Sequence, residues 1–305
     1  MTMFAKRQSK PARLHLAASL AGLMALLSAQ GVASAEEVTG RLPDAARVVS
    51  IGDSITEIVY ALGEEGHLVG RDQTSTYPEA AQKLPDVGYM RALSPEGVLS
   101  INPTAIIAVE GSGPKETIDV LKKASIPFVF VPEDYTGKSI SAKIRVVGTA
   151  LGVDDKAEKL ASQVEKDLQA AEDATKNIKN RKRILFVLSA QGGKIMASGT
   201  KTAANGIIAL AGADNAITEY PGYKPLTDEA IITAKPDVIL VMDRGGDHSS
   251  DNADLLANAA IAATPAGKDK KIIRMSGQYL LGFGPRAPKA IHELAEAIYG
   301  NELGK

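Results

Sequence analysis

One unit of this chain is written twice. Leu93–Val109 reads LSPEGVLSINPTAIIAV, and Leu226–Met242, 133 positions later, reads LTDEAIITAKPDVILVM. Leu93 matches Leu226, Ser94 matches Thr227, Glu96 matches Glu229, Pro103 matches Pro236, and an apolar run follows each proline. A Ser or Thr ahead of a short periodic run caps a helix, the proline marks its end, and the apolar run reads as a buried parallel strand. A chain that repeats a helix–strand unit at this distance has the same packing problem to solve in two places, and so builds two lobes of similar plan. Its 305 residues, 45% apolar and 23% charged, suffice for two cores.

The flanking sequence fits that plan. RVVSI (47–51) is a strand, Gly52-Asp53-Ser54 a turn and cap, and ITEIVYALG a helix closed by Gly63. Strands follow at 67–70, in the first repeat, and at PFVFVP (127–132). From Asp154 the pattern changes to some twenty polar residues rich in Ala, Glu and Lys, without internal Gly or Pro. That is a helix of roughly 30 Å at 1.5 Å per residue, too polar for a core helix and suited to a rigid connector. Alternation restarts at RILFVL (183–188), runs through a capped helix ending at Gly212 and the second repeat, and closes with a strand at 271–276 and a helix over 286–299. The expected fold class is α/β: two β/α lobes with central, mostly parallel sheets, joined by one long rigid α-helix.

Lys6, Arg7, Lys10 and Arg13 precede an apolar stretch, LHLAASLAGLMALLSA, and then Ala33-Ser34-Ala35. A basic region, a short apolar core and a small-residue site form a secretory signal peptide, cleaved after Ala35. The expected organisation is signal peptide 1–35, N-terminal lobe 36–152, connector 153–180 and C-terminal lobe 181–305. Of 35 basic residues four leave with the signal, so 31 face 36 acidic ones in the mature chain, which argues against nucleic acid. Cysteine is absent, which excludes thiolate chemistry and suits an exported protein large enough to hold its cores without disulfides.

Packing explains the repeated helix and strand but does not require Glu96 and Glu229 to match. One reading makes each an N3 carboxylate that caps its own helix. The other makes them equivalent acidic points, one per lobe, facing one partner.

RVVSIGDSITEIVYALG, TSTYPEAAQKLPDVGYMRALSPEGVLSINPTAIIA, the connector and LTDEAIITAKPDVILVM together resemble the periplasmic substrate-binding proteins of ABC importers. The group is the one with a single helix between lobes, which carries cobalamin, ferric siderophores and haem. Within it, DVGYMRALSPEGVLS is most similar to the haem-binding members. The resemblance spans residues 47–300. It implies that Tyr89 ligates haem iron, that Arg91 sits beside the phenolate, and that a second arginine, for which Arg244 is the candidate, comes from the other lobe. It implies ferric haem b as the carried ligand. It also implies docking of Glu96 and Glu229 on the arginines of a permease dimer that works with ATPase subunits. The carrier itself is expected to be a soluble periplasmic monomer without catalytic activity. Some relatives add a histidine from the second lobe, but FVLSAQGGKIM holds none, so a tyrosine-only site is expected.

The chemistry is coherent. Ferric haem accepts a tyrosine oxygen, as in catalase. A phenol titrates near 10, and iron and a neighbouring guanidinium both favour its anion. Tyr77 is the rival ligand, and His248, near Arg244, is a further candidate. His67 and His292 read as surface or helix-end residues. Other classes remain. A ferric siderophore or cobalamin carrier would also use arginines and aromatics. Gly52-Asp53-Ser54 after a strand resembles the GDS-type serine hydrolases, which need a histidine base, and His292 has no aspartate nearby. Three scattered mature histidines do not make a site for free zinc or manganese.

Overall fold

The computed structural model describes residues 40–243 and 252–304. The first half alternates β1 (Val48–Ile51), α1 (Asp53–Ala61), β2 (Leu68–Arg71), α2 (Pro95–Leu99), β3 (Ala105–Val109), α3 (Lys115–Lys123) and β4 (Phe128–Val131). Its four strands are parallel, in the order β2-β1-β3-β4. Two helices follow, α4 (Gly137–Leu151) and α5 (Asp154–Thr175). The second half holds β5 (Arg183–Gln191), β6 (Lys194–Ser198), α6 (Ala203–Leu210), β7 (Asp214–Asn215), β8 (Tyr223–Pro225), α7 (Asp228–Ala234) and β9 (Val238–Asp243). It ends with α8 (Asn252–Ala257), α9 (Ala259–Ala263), α10 (Pro265–Lys268), β10 (Ile272–Ser276), α11 (Gly277–Leu281) and α12 (Ala287–Tyr299). The architecture is two α/β lobes with mainly parallel sheets, joined by a helix.

The second sheet is not a copy of the first. Its order is β10-β9-β5-β6-β8, with β7 beside β5, and β6 runs antiparallel to both neighbours. The cause is Gly192-Gly193, at φ 57° and 76°. Two consecutive residues with positive φ make the tight turn whose twist matches a β-hairpin, and glycine takes that conformation without steric cost.

The repeated unit forms as expected in both lobes. Ser94 caps α2 by accepting from the Gly97 N–H at 3.0 Å, and Thr227 caps α7 by accepting from the Ala230 N–H at 3.2 Å. Each helix is followed by a left-handed residue directly before the proline, Asn102 at φ 49° and Lys235 at φ 44°. β3 is buried throughout, and β9 over its first four residues. The capping arithmetic differs from expectation: the N3 residues are Gly97 and Ala230, so Glu96 and Glu229 stand at N2. Both are exposed, and neither carboxylate bonds a described residue.

α5 is more than a polar rod. Ala157, Ala161, Val164, Leu168 and Ala171 recur at three- and four-residue spacing and are at most 5% exposed. They belong to one apolar cluster that runs from Ile55 and Val59 of α1, through α4, to Phe186 of β5, α6 and α12. A Cβ on Gly148 of α4 would lie 2.1 Å from that of Ala157, so the two helices touch backbone to side chain there. The stripe is built from small residues, which lowers its mean hydropathy and hid it in a sequence reading. Residues 1–35, read as a signal peptide, lie outside the described residues. No helix among the described residues is long and apolar enough to cross a membrane.

Candidate functional site

The loops that leave the C-terminal ends of the first sheet's strands are tied to one carboxylate. Asp72, fully buried, accepts from the Gly52 N–H at 2.9 Å, the Ser75 hydroxyl at 2.7 Å, and the Thr74 N–H and hydroxyl at 2.9 and 2.6 Å. Four donors satisfy it and hold the loop after β2 against the turn after β1. Gly52, at φ 105°, is the N-cap of α1, so Asp53 is the first helical residue and does not cap the helix as expected.

Downstream, the chain is drawn into a tight turn. Gln73 N–H bonds Gly88 O, Gly88 N–H bonds Asp86 Oδ1 at 2.8 Å, and Asp86 pairs with Arg71 at 2.8 Å. Ala92 N–H returns to Tyr89 O at 2.8 Å, and the Met90 carbonyl accepts from Gly113. The backbone around Tyr89 is therefore pinned on both sides while its side chain is 43% exposed. Its hydroxyl bonds no described residue. This is the geometry of a phenol presented by a rigid turn.

Burial raises the pKa of Tyr135, Glu133 adds to the rise, and the charge of Arg91 opposes it. Tyr135, in the connection from β4 to α4, meets the second lobe. A Cβ on Gly206 of α6 would lie 2.3 Å from its carbonyl oxygen, and its ring stands edge-on to Phe283 at 5.5 Å. Tyr223 lies in β8 of the second lobe. Burial raises its pKa, hydrogen bonding from Thr202 and the Ala204 amide opposes that rise, and it feels Tyr135 and Arg91 through their charges. Phe186 packs against it at 6.3 Å. Neither Tyr135 nor Tyr223 was among the residues expected at the site.

A second polar contact joins the lobes beside this group. Glu57 of α1 accepts from the Arg286 N–H and from its guanidinium, each at 2.9 Å. That guanidinium lies 3.3 Å over the Tyr77 ring centroid and 5.2 Å from that of Tyr279. Thr76 donates to Gln278 at 2.6 Å. Tyr77, the rival ligand, is thus engaged by its ring face. Asp53 faces the same seam: a Cβ on Gly282 would lie 2.9 Å from its free oxygen. Burial pushes its pKa up to about 7, helped by Asp72 and Glu57 and opposed by the Ser54 amide and Lys143. Lys143 itself is buried and paired with Glu133. Ser54 is 2% exposed, its nearest bonded partner is Lys143 at 3.5 Å, and no described histidine bonds it. His67 is bound by Ala45 O and Glu64, remote from this group. Arg244 and His248 lie outside the described residues.

A family model described as periplasmic binding protein matches residues 48–279. Among solved structures, the chain is similar to a periplasmic heme-binding protein BhuT in complex with two hemes. The identity is 40%, the TM-score 0.79, and coverage 83% of this chain and 97% of the other. It is similar to the periplasmic heme-binding protein RhuT from Roseiflexus sp. RS-1 at 39% identity and TM-score 0.79, covering 84% and 98%. Among curated relatives, an uncharacterized ABC transporter substrate-binding lipoprotein, YvrC of Bacillus subtilis (strain 168), is 29% identical over 83% of this chain and 80% of its own. A vitamin B12-binding protein of Yersinia pestis (strain Pestoides F) is 28% identical over 72% and 78%.

Proposed function

This chain belongs to the periplasmic binding protein family, and on that premise we propose that it captures haem between its lobes and hands it to an ABC permease. The observation that carries the reading is Tyr89: a phenol with no described partner, exposed, on a turn whose backbone is bonded on both sides. A ligand for ferric iron needs an accessible oxygen held in place before the metal arrives. Relatives at 40% and 39% identity that bind haem support the choice of cargo. In this reading the iron is ferric and the porphyrin haem b, Tyr89 would hold the iron, and Arg244 is the candidate to close the far side or meet a propionate.

Glu96 and Glu229 are the docking points. The helix-capping alternative loses its basis at N2, where neither carboxylate reaches back to its own helix start. Two exposed acidic residues on matching helices, one per lobe, suit a permease dimer that presents a basic residue to each, with the ATPase subunits beneath it. The chain works as a monomer of two lobes, 36–152 and 181–305, with 153–180 between them, after removal of 1–35 on export. It carries and does not catalyse.

The test is an absorbance titration of the purified protein with hemin beside Tyr89→Ala. A saturable Soret band with ferric tyrosinate charge-transfer features, lost in the variant, is the expected result. A saturable band that the substitution leaves unchanged would move the ligand elsewhere. Absence of saturable hemin binding, with cobalamin bound instead, would replace the cargo by that of the vitamin B12-binding relatives.

A further inference from the structure

Gly282-Phe283-Gly284-Pro285-Arg286 links α11 to α12 in the second lobe and is pressed against α1 of the first. A Cβ on Gly284 would lie 3.0–3.2 Å from the carboxyl of Glu57, and one on Gly282 would lie 2.9 Å from Asp53 Oδ2. Asp53 and Glu57 are four residues apart, so both carboxyls stand on one face of α1. Glycine at both loop positions lets the backbone approach them. Between the glycines, Phe283 is 1% exposed, its ring edge-on to Tyr135 at 5.5 Å and its centroid 5.9 Å from Lys143 Nζ. It holds φ 51°, a conformation costly for a residue with a side chain, which persists where the surroundings fix it. Arg286 closes the loop by giving Glu57 both its N–H and its guanidinium, each at 2.9 Å.

We propose that this loop is a clasp between the lobes and that a proton on Asp53 keeps it shut. The clasp does not depend on which cargo the cleft holds. The two carboxyls of α1 are provided for unequally. Glu57 has the Arg286 cation. Asp53 accepts from the Ser54 amide at 2.8 Å, and among the described residues no cation forms an ion pair with it. The charged groups that bear on it are Glu57 on its own helix, Asp72 in the loop after β2, and Lys143 of α4, whose ammonium is bound by Glu133. Tyr135, ahead of α4, feels it as well. α11 adds Gln278 and Tyr279, neither charged at neutral pH, and residues 282–285 carry no charge.

Two acids nearby and two cations already bound favour the neutral carboxyl, and so does its seat against the Gly282 backbone. These influences, burial first, bring its pKa to about 7. Asp53 is half-buried, so water at the seam can exchange the proton. Loss of that proton puts a charge on the face of α1 that already holds Glu57 and loosens the seat of Gly282. Parting there would also break the Thr76–Gln278 bond of 2.6 Å and lift Arg286 from the Tyr77 ring, whose centroid is 3.3 Å away. The contacts of the seam are therefore made and lost together.

The chain has no cysteine, so Lys83→Cys in the first lobe and Lys268→Cys in the second, both exposed, take one spin label each. Pulsed electron spin resonance on the mature protein without cargo then reads the separation of the lobes. One narrow distance is expected at pH 5, and a second, longer one should appear and grow as pH rises past about 7. Asp53→Asn, which keeps the shape and does not ionise, should hold the narrow distance over the whole range. Glu57→Gln should show the longer distance already at pH 5. Gly284→Ala, whose Cβ presses on the Glu57 carboxyl, should do so without a change of charge. Far-UV circular dichroism checks that each variant is folded. A wild-type distance that stays constant with pH would overturn the proposal, and so would a pH dependence that persists in Asp53→Asn. The narrow distance at pH 5 in both Glu57→Gln and Gly284→Ala would overturn the clasp itself.

Discussion

Tyr89 stands 43% exposed on its turn with no described partner, whereas Tyr223, in strand β8 just ahead of the matching helix of the other lobe, is packed on Phe186. The helices that follow them are nearly interchangeable: hydroxyl cap, Glu at N2, left-handed exit before proline, buried strand. The contrast teaches where duplication holds and where it ends. Capping and strand burial are local problems with one solution, so both lobes keep it. What a tyrosine meets across the seam is set by the other lobe, and there the copies separate.

The largest expected effect separates the two tyrosines. Tyr89→Phe should abolish the tyrosinate band and weaken hemin binding by about a hundredfold or more, because no other described group replaces the ligand. Tyr223→Phe should keep the band. Loss of the band in Tyr223→Phe, and not in Tyr89→Phe, would reverse the assignment of the lobes.

The seam itself comes next. Glu57 is 6% exposed and binds Arg286 twice, so Glu57→Gln leaves a guanidinium without its counter-charge and should cost about 2–4 kcal/mol in urea unfolding. Glu158→Gln removes an exposed partner of Arg145 and should cost no more than about 0.5 kcal/mol. Equal costs would mean that the seam contributes no more than a surface pair.

The docking pair tests the symmetry that survives. Glu96→Ala and Glu229→Ala should leave hemin affinity unchanged and stability within about 0.5 kcal/mol, as at other exposed sites. Each should slow uptake by vesicles that contain the permease, and the double variant should slow it further. If only one of the two matters, the matched helices dock asymmetrically.

The last contrast, read in pH, concerns Asp53. Its folded pKa, about 7, lies above the ordinary carboxylate range, so the native state holds a proton that the unfolded chain releases. Stability from this group therefore falls as pH rises from the ordinary range through about 7, and levels off above it. Asp53→Asn should remove that slope, with a higher melting temperature than wild type at pH 8 and little difference at pH 4. A parallel pH dependence in the two proteins would locate the slope in another group.

Much of this was legible in residues taken one segment at a time. Ser94 and Thr227 announced their helices, the runs after Pro103 and Pro236 announced buried strands, and Asp154 marked the start of α5. Gly192-Gly193 carried the hairpin signal too, between β5 and β6, but it was passed over in the alternating pattern. Tyr223 escaped because it stands three residues before its Leu226 while Tyr89 stands four before Leu93, a one-residue gap that an ungapped comparison passes over. The small-residue stripe of α5 was invisible to hydropathy because alanine contributes little per residue.

By itself the sequence determined two α/β lobes, their caps, the buried strands and the connecting helix. These follow from spacing, propensity and capping, which act over a few residues. Only the tertiary structure decided that Tyr135 packs edge-on against Phe283, that Arg286 binds Glu57 across 229 positions, and that the connector is part of the core. Those contacts join residues far apart in the chain, and which side chain meets which depends on how the sheets and helices pack, a geometry that no local pattern records.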